Sequence, residues 1–201
     1  MRVSVMKRAT AILTIGHSRH PLEGFIGLLE VAQVTAIADV RSAPVSRFSP
    51  QFNKAALAAS LAARGIAYEF LGKELGGRPD RAELYTEGVA DYEKMAAASE
   101  FRAGLVRLMQ VAEQYRVAAM CSEADPLDCH RCLLVGRALT GAGIDVGHIL
   151  SSAEIITHAQ AEERLLQLEK LAEPGLLLRS RDDRLAEAYR LRCRKAAYRP
   201  R

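Results

Sequence analysis

The densest concentration of reactive side chains in the sequence lies in the eleven residues from Cys121 to Arg131. This segment, Cys-Ser-Glu-Ala-Asp-Pro-Leu-Asp-Cys-His-Arg, contains two thiols, three carboxylates, an imidazole and a guanidinium. A surface turn does not need such a set, whereas nucleophilic or acid–base chemistry does. The segment is therefore the candidate centre of function.

Cys129 is the strongest candidate for a nucleophile. It follows Asp128, a good helix-capping residue, so we expect it in the first turn of a helix. The helix dipole and exposed backbone N–H groups there favour a thiolate, as do the neighbouring His130 and Arg131. The alternative is an inert, packed thiol, because free cysteines are often buried. Cys121 ends an apolar segment and is expected to be structural, to act as a resolving thiol, or to line the substrate site.

Acid–base candidates lie where predicted strands end. Asp39 and Glu123 could each orient a histidine or act as a general base, and His17 and His130 could exchange protons with a substrate. For the two acids, a structural ion network with neighbouring arginines is an equal alternative. For His17, the alternative is a solvated loop position.

Arginines and glycines argue for an anionic ligand. Guanidinium groups bind carboxylates and phosphates through two parallel hydrogen bonds. The arginines near the candidate loops are Arg41, Arg47, Arg78 and Arg131. Gly76 and Gly77 would let the backbone approach a ligand, although an ordinary tight turn explains them equally well. The sequence contains neither a phosphate-binding loop motif nor a dinucleotide-binding motif, which argues against nucleotide hydrolysis of the P-loop type.

Short apolar segments alternate with segments of helical periodicity. The strand-like segments are residues 11–15, 36–40, 66–71, 117–121 and 146–150, and the helical ones are 21–33, 53–64, 99–114 and 129–140. This alternation predicts an α/β fold with a mainly parallel sheet and helices on both faces. We expect a single domain with a core at about 11–150 and a helical C-terminal extension at about 152–201, formed by residues 154–171 and 181–198 with a break at 173–175.

In such a sheet, ligands bind outside the carboxyl ends of the strands. Four predicted loops lie there: residues 16–18, 39–41, 72–77 and 121–123. We therefore expect these loops to converge on one cleft.

Four ordered motifs resemble the family called domain of unknown function 488. They are Thr14-Ile15-Gly16-His17-Ser18, Asp39-Val40-Arg41 with Pro44 and Ser46, Leu75-Gly76-Gly77-Arg78-Pro79, and the segment from Cys121 to Arg131. The resemblance runs from about Ile12 to Leu150 and supplies no reaction; Cys132 is not part of the family's pattern. It implies functional positions at His17, Ser18, Asp39, Arg41, Pro44, Ser46, Gly76, Gly77, Cys121, Glu123, Pro126, Cys129, His130 and Arg131.

Composition limits the function classes. The 201 residues are 49% hydrophobic and carry a net charge of +4, which fits a folded core but is too mild for an obligate nucleic-acid coat protein. No apolar run reaches the roughly 18 residues of a membrane span, and no secretory cleavage site is apparent. The four cysteines do not form a disulfide framework. We expect a soluble, cytoplasmic protein without a membrane partner.

The leading hypothesis is a thiol-dependent enzyme that acts on a small anionic molecule without a cofactor. Its expected catalytic residues are Cys129, His17, Glu123, Asp39 and His130. Its expected substrate-binding residues are Ser18, Arg41, Ser46, Gly76, Gly77, Cys121 and Arg131.

Three alternatives remain open from the sequence. A nucleic-acid or nucleotide binding module would hold phosphates with arginines of the site and with the basic tail, Arg190, Arg192, Arg194 and Lys195, although aromatic residues for base stacking are scarce. A redox protein would use Cys121 and Cys129 as a thiol pair. A metal site would draw on Cys121, Cys129, Cys132 and either His17 or His130, but the set has only one C-x-x-C pair, so we expect no metal.

Overall fold

The computed structural model describes residues 11–173 and 179–200, and its centre is a six-stranded sheet. The strands of the sheet are β1 (Ile12–Gly16), β2 (Ala36–Asp39), β3 (Ala67–Phe70), β6 (Val117–Cys121), β7 (Val146–Ile149) and β8 (Ile155–Thr157). Their order is β3-β2-β6-β1-β7-β8. All pairs are parallel except β7 with β8, so the prediction of a mainly parallel sheet is confirmed.

Helices cover both faces of the sheet, as predicted. The helices are α1 (Leu22–Val31), α2 (Lys54–Ala62), α3 (Gly72–Leu75), α4 (Tyr92–Ala97), α5 (Ser99–Gln114), α6 (Arg137–Gly141), α7 (His158–Leu168) and α8 (Arg181–Ala196). Successive residues of a strand point to opposite faces. Leu13 and Ile15 accordingly pack with α1 and α2, whereas Ile12 belongs to the core beneath α4, α5, α7 and α8. The inner strands are buried on both sides, which explains their unbroken apolar sequences.

Several elements differ from the sequence-based prediction. The expected helix at 129–140 begins instead as a π-helix, Arg131–Gly136, and continues as α6. Residues Ile155–Thr157, predicted as helical, form the antiparallel edge strand β8. Thr157 then caps α7 through a reciprocal capping box with Gln160, and this signal marks the true start of the helix.

Other short elements escaped prediction because they are too short to show periodicity. They are α3, α4 and a separate hairpin of β4 (Tyr85–Thr86) with β5 (Val89–Ala90). The predicted break at 173–175 lies partly outside the described residues. Within the described part of the chain, no helix is both long and apolar enough to traverse a lipid bilayer.

The carboxyl ends of β1 and β6 are joined by backbone contacts that continue past the strands. The N–H groups of His17 and Ser18 donate to the carbonyl oxygens of Cys121 and Ser122, at 2.9 and 2.8 Å. A Cβ atom at Gly16 would lie 1.8 Å from the carbonyl oxygen of Glu123. Only glycine allows this approach, which brings the β6 loop over the end of β1.

We expect Gly16→Ala to lower the free energy of unfolding by about 3 kcal/mol or more, because the methyl group overlaps backbone that cannot rotate away. Gly27→Ala is the matched control, since a Cβ there meets no atom within 4 Å. As a helix-interior change it should leave stability unchanged or raise it by up to about 1 kcal/mol. Urea unfolding of the two variants measures the difference; equal stabilities would contradict the packing argument.

Candidate active site

The candidate site lies at the carboxyl ends of the adjacent strands β2, β6 and β1 and consists of two neighbouring cavities. The inner cavity measures about 190 Å³ and is lined by residues that include Arg41, Arg78, Cys121, Glu123, Cys129 and His130. The outer cavity measures about 420 Å³ and is lined by residues that include His17, Ser18, Arg19 and Ser46. Arg41, Arg78 and Glu123 border both cavities, which are therefore adjacent; we refer to the two together as the cleft.

The Cys129 thiol lies in a dense polar environment. Its Sγ atom is 2.9 Å from Oε2 of Glu123, so one proton lies between the sulfur and the carboxyl group. The backbone N–H of Arg131 donates to the same sulfur at 3.4 Å, and Nδ1 of His130 is 3.8 Å away. Cys129 is only 2% exposed, but it borders the inner cavity.

Cys129 lies just before the helix, rather than within its first turn as predicted. Asp125 caps a short turn, Pro126–Asp128, and the carbonyl oxygen of Cys129 then accepts the N–H of Leu133 at 3.0 Å. Asp128 does not cap the helix and instead pairs with Arg192 of α8. The backbone N–H of Arg131, in the first helical turn, donates to the sulfur of Cys129. The helix start can therefore still stabilise a thiolate, but through a hydrogen bond to a residue that precedes the helix.

The protonation states of this group are coupled. Burial raises the pKa of Cys129, but the hydrogen bond from Cys121 and the positive charges of Arg131 and His130 outweigh it and hold the pKa well below its usual value. Burial, and then the hydrogen bond with Cys129, raise the pKa of Cys121 well above the usual thiol value. Burial and the charge of Cys129 raise the pKa of Glu123. These directions agree with a thiolate on Cys129 and a neutral carboxylic acid on Glu123.

His130 is held between the two cysteines and the backbone. Its Nε2–H donates to the carbonyl oxygen of Val40 at 2.9 Å, so Nδ1 faces the sulfurs of Cys121 and Cys129 at 3.7 and 3.8 Å. Burial lowers the pKa of His130, but the charge of Cys129 and its hydrogen bond raise it to a net value above the usual one. A Cβ at Gly77 would lie 2.7 Å from the imidazole. Space for the ring, not a turn, therefore explains this glycine.

Arg41 forms the ion pair that the sequence left as an alternative. Its Nε and Nη2 donate to the two carboxylate oxygens of Asp39 at 2.9 and 2.6 Å, and Nη2 also donates to the carbonyl oxygen of Phe52 at 2.8 Å. Tyr68 donates to the same carboxylate at 2.6 Å. Asp39 is fully buried and borders neither cavity, whereas Arg41 borders both.

His17 is neutral and oriented by these neighbours. Its Nδ1–H donates to the carbonyl oxygen of Ser18 at 3.0 Å, which leaves Nε2 to accept from Nη1 of Arg41 at 3.2 Å. Its ring stacks on Phe52 with centroids 4.3 Å apart. Burial, followed by the charge of Arg41, lowers the pKa of His17 to about 4. Asp39 thus acts on His17 through Arg41.

A family model described as Domain of unknown function DUF488 matches residues 21–138, more than half of the chain. The chain belongs to the DUF488 family. The matched range contains three of the four motifs that carried the resemblance, and residues 14–18 precede it. A search of curated proteins gave no significant match. A search of solved structures gave none either.

The remaining predicted residues of this DUF488 protein take different places. Ser18 and Ser46 line the outer cavity, and the hydroxyl of Ser46 accepts the N–H groups of Phe48 and Ser49. Gly76 packs against Ser42. The predicted residues that border neither cavity are Asp39, Pro44, Arg47, Gly76, Pro126 and Arg131.

Sequence reasoning missed several residues of the cleft. Arg19 directly follows the first motif and lines the outer cavity, so its position next to Ser18 was an available signal. Tyr92 and Tyr198 line the inner cavity from distant parts of the chain. The guanidinium of Arg78 lies 5.0 Å from the ring centroid of Tyr198. No local pattern links those two residues.

We expect iodoacetamide to label Cys129 faster than Cys193 at neutral pH. The pKa of Cys129 is lowered, whereas burial raises the pKa of Cys193 to about 12. Because the thiolate is the reactive form, Cys129 labelling should also change little between about pH 8 and about pH 6, a range in which a free thiol slows by roughly two orders of magnitude.

Peptide mass spectrometry after timed quenching gives both rates, with Cys129→Ser as the control that assigns the fast phase. Slower labelling of Cys129 than of Cys193, or the pH dependence of an ordinary thiol, would contradict the thiolate assignment.

Proposed function

We propose that this DUF488 protein is a thiol-dependent enzyme in which Cys129 attacks a small anionic substrate. The observation that carries the proposal is the 2.9 Å contact of Cys129 Sγ with Glu123 Oε2 at a cavity wall. A nucleophile and a proton donor lie side by side there, and Arg131 and His130 supply positive charge next to the sulfur.

The residues support a two-step displacement. The Cys129 thiolate forms a bond to the electrophilic centre of the substrate, the bond to the leaving group breaks, and the leaving group takes the proton of Glu123. The Glu123 carboxylate then removes a proton from water, whose oxygen attacks the group bound to sulfur. The thiolate leaves, the acid proton is back on Glu123, and the net reaction is hydrolysis.

The charge around the cleft favours an anion. Arg78 is exposed and borders both cavities, and Arg19 is exposed at the outer cavity. Arg41 also borders both cavities, but its charge is paired with Asp39 and most of its hydrogen bonds are committed to Asp39 and Phe52. At about 190 Å³, the inner cavity is smaller than the roughly 300–1,000 Å³ of drug-sized pockets, which favours a small substrate.

Anion attraction can be measured without knowing the substrate, by comparing an anionic and a neutral alkylating agent. We expect Arg78→Ala to slow the reaction of Cys129 with iodoacetate about fivefold and to leave the reaction with iodoacetamide unchanged, because one nearby charge is worth about 1 kcal/mol in water. Arg47→Ala, an exposed arginine that borders neither cavity, is the matched control. An equal effect of both substitutions on both reagents would remove the support for an anion site.

Turnover is tested with a panel of small anionic carboxylate and phosphate esters. Mass spectrometry should find a substrate-derived group on Cys129 that disappears with time, and Cys129→Ser should form no such adduct and release no product. If the wild-type protein forms neither adduct nor product although Cys129 is still rapidly alkylated, the thiol is reactive but has no enzymatic role, and the proposal is wrong.

A thiol redox function is the second candidate, because the sulfurs of Cys121 and Cys129 both approach Nδ1 of His130. With hydrogen peroxide as oxidant, the two thiols would lose two electrons and two protons to form a disulfide, and the peroxide would become two water molecules. Cys121→Ala separates the two functions: it abolishes a redox pair, whereas hydrolysis by Cys129 should continue at a reduced rate, because the thiolate loses the hydrogen bond from Cys121 but keeps the charges of Arg131 and His130.

The basic tail has mostly structural contacts. Arg192 pairs with Asp128 and lies 3.9 Å from a carboxylate oxygen of Glu169, and Lys195 also pairs with Glu169. These ion pairs attach α8 to the turn at Pro126–Asp128 and to the C-terminal end of α7, and favour a packing role over nucleic-acid binding. Arg190 and Arg194 instead line a separate depression of about 310 Å³.

We expect the double substitution Arg190→Ala and Arg194→Ala to leave Cys129 labelling unchanged, because these residues border neither cavity of the site. If the tail only packs, any binding of a labelled oligonucleotide should be weak. If the tail forms a phosphate-binding face, binding should fall at least roughly tenfold between low salt and about 0.15 M salt, with a slope that shrinks in the double variant. Tight binding at the higher salt concentration that disappears in the double variant would make nucleic-acid binding the primary function.

A further inference from the structure

A second cluster of metal-binding side chains lies in the interior, outside the cleft. Cys132 comes from the π-helix, His148 from β7, and His158 is the first residue of α7. Their exposed fractions are 1%, 0% and 3%. One ligand atom from each of the three lies within 4.8 Å of the others. Neither the DUF488 motifs nor the thiol chemistry at Cys129 uses this cluster.

Two of the three distances within the cluster are close to those around a tetrahedral zinc ion. Cys132 Sγ is 3.6 Å from His148 Nε2, which is 3.0 Å from His158 Nδ1. Zinc–sulfur and zinc–nitrogen bonds of about 2.3 and 2.05 Å place a sulfur and a nitrogen ligand about 3.6 Å apart, and two nitrogen ligands about 3.3 Å apart. These two pairs therefore lie within about 0.3 Å of the zinc geometry, and the third pair, Cys132 with His158, lies within 4.8 Å and must close around the ion.

The nitrogen atoms that face away from the cluster have hydrogen-bond partners. His148 Nδ1 lies 2.8 Å from the hydroxyl of Thr14, and His158 Nε2 lies 2.9 Å from the hydroxyl of Tyr189. Tyr189 in turn donates to Glu162 at 3.1 Å. Histidines that bind a metal usually use their second nitrogen in this way, because the partner fixes the ring and its tautomer.

The two imidazoles are neutral, as metal ligands must be. Burial, followed by the charge of His158, lowers the pKa of His148 to about 3. Burial, followed by the charge of Arg137, lowers the pKa of His158 to about 4. In the other cysteine–histidine cluster, burial lowers the pKa of His130, but the charge of Cys129 and its hydrogen bond raise it to a net value above the usual one, so that the lone pair of this histidine is protonated more readily.

We propose that Cys132, His148 and His158 bind one zinc ion in the interior of this protein, independently of the function proposed for Cys129. Binding releases one proton, from the Cys132 thiol, and the hydrogen of His148 moves to Nδ1, where it donates to Thr14. The ion links the π-helix, β7 and α7 in the interior, so its role is structural. The cluster provides three ligands, and a water molecule must supply the fourth, whereas most structural zinc sites have four protein ligands.

Without a metal, the same atoms would form a hydrogen-bond chain. The hydroxyl of Thr14 would donate to His148, then His148 to His158, His158 to Tyr189 and Tyr189 to Glu162. Every polar group in that hydrogen-bond chain has a partner. Zinc must displace this metal-free arrangement in order to bind, and the experiment decides between the two states.

The test uses the full-length protein, stripped with a chelator and titrated with Zn²⁺ against a chromophoric competitor. We expect one zinc per chain, release of one proton per zinc, and an increase in melting temperature on binding. X-ray absorption at the zinc edge should show one sulfur ligand, with nitrogen and oxygen for the rest. This count separates the proposed cluster from Cys121, Cys129 and His130, which would supply two sulfurs.

Matched cysteine variants provide a second readout. Cys132→Ala removes a zinc ligand and should weaken zinc binding at least about 100-fold. Loss of a residue that only hydrogen-bonds to a ligand usually costs about 10–100-fold. Cys129→Ala should leave zinc affinity unchanged. If Cys132→Ala fails to fold, the sulfur count of the wild-type protein decides. No zinc uptake, two sulfur ligands, or loss of binding in Cys129→Ala alone would each overturn the proposal.

Discussion

A guanidinium group buried in the interior sets the electrostatics of the cleft. Arg131 is the largest side chain with almost no exposure, at 1%. Its Nη1 and Nη2 donate to the carbonyl oxygens of Glu123 and Ala124 at 2.7 and 3.0 Å, but Nε has no hydrogen-bond partner among the described residues. Burying an unpaired charge is costly, so a negative group must lie close to it. In residues 11–173 and 179–200, no carboxylate forms an ion pair with Arg131. Burial lowers the pKa of Arg131, but the charge of Cys129 outweighs it, so the proposed thiolate is the negative group that this position calls for.

The same side chain also shapes the loop. By holding the carbonyl oxygens of Glu123 and Ala124, Arg131 fixes the chain that follows β6, and this chain lies against Gly16 at the end of β1. The carboxyl group of Glu123 is thereby brought to the sulfur of Cys129. The position of Cys129, the position of the Glu123 carboxyl group and the charge that lowers the thiol pKa thus have one common origin. The buried charge of Arg131 lowers the free energy of unfolding relative to a well-packed apolar residue, because a buried charge is rarely the most stable way to fill a core.

Sequence reasoning was most successful where a local pattern carries the structural information. Unbroken apolar runs predicted the parallel strands, and helical periodicity predicted α1, α2 and α5 nearly to the residue. The rule that ligands bind at the carboxyl ends of parallel strands predicted which loops meet. The helix start near Cys129 was mispredicted because the sequence contains two capping residues close together, Asp125 and Asp128. Asp125 caps its own short turn, and Asp128 caps no helix. A π-helix has no sequence signature of its own.

Contacts between residues far apart in sequence could not be predicted. Whether Arg41 would face a ligand or pair with Asp39 depends on Phe52 and Tyr68, which come from other elements. Thr14 and His148 are separated by 134 positions and meet only because β1 and β7 are neighbours. Such contacts follow from the arrangement of the strands, so they become visible only once the sheet order is known.

The contact between Gly77 and His130 constrains how this protein can change over evolutionary time. The imidazole occupies the space where any other residue at position 77 would place its Cβ. A lineage that keeps the histidine must keep the glycine, whereas a lineage that replaces the histidine with a smaller residue releases position 77 to vary. The two positions, which lie on different loops, should therefore be inherited as a pair. Once a related chain has lost one of the two residues, selection no longer preserves the other.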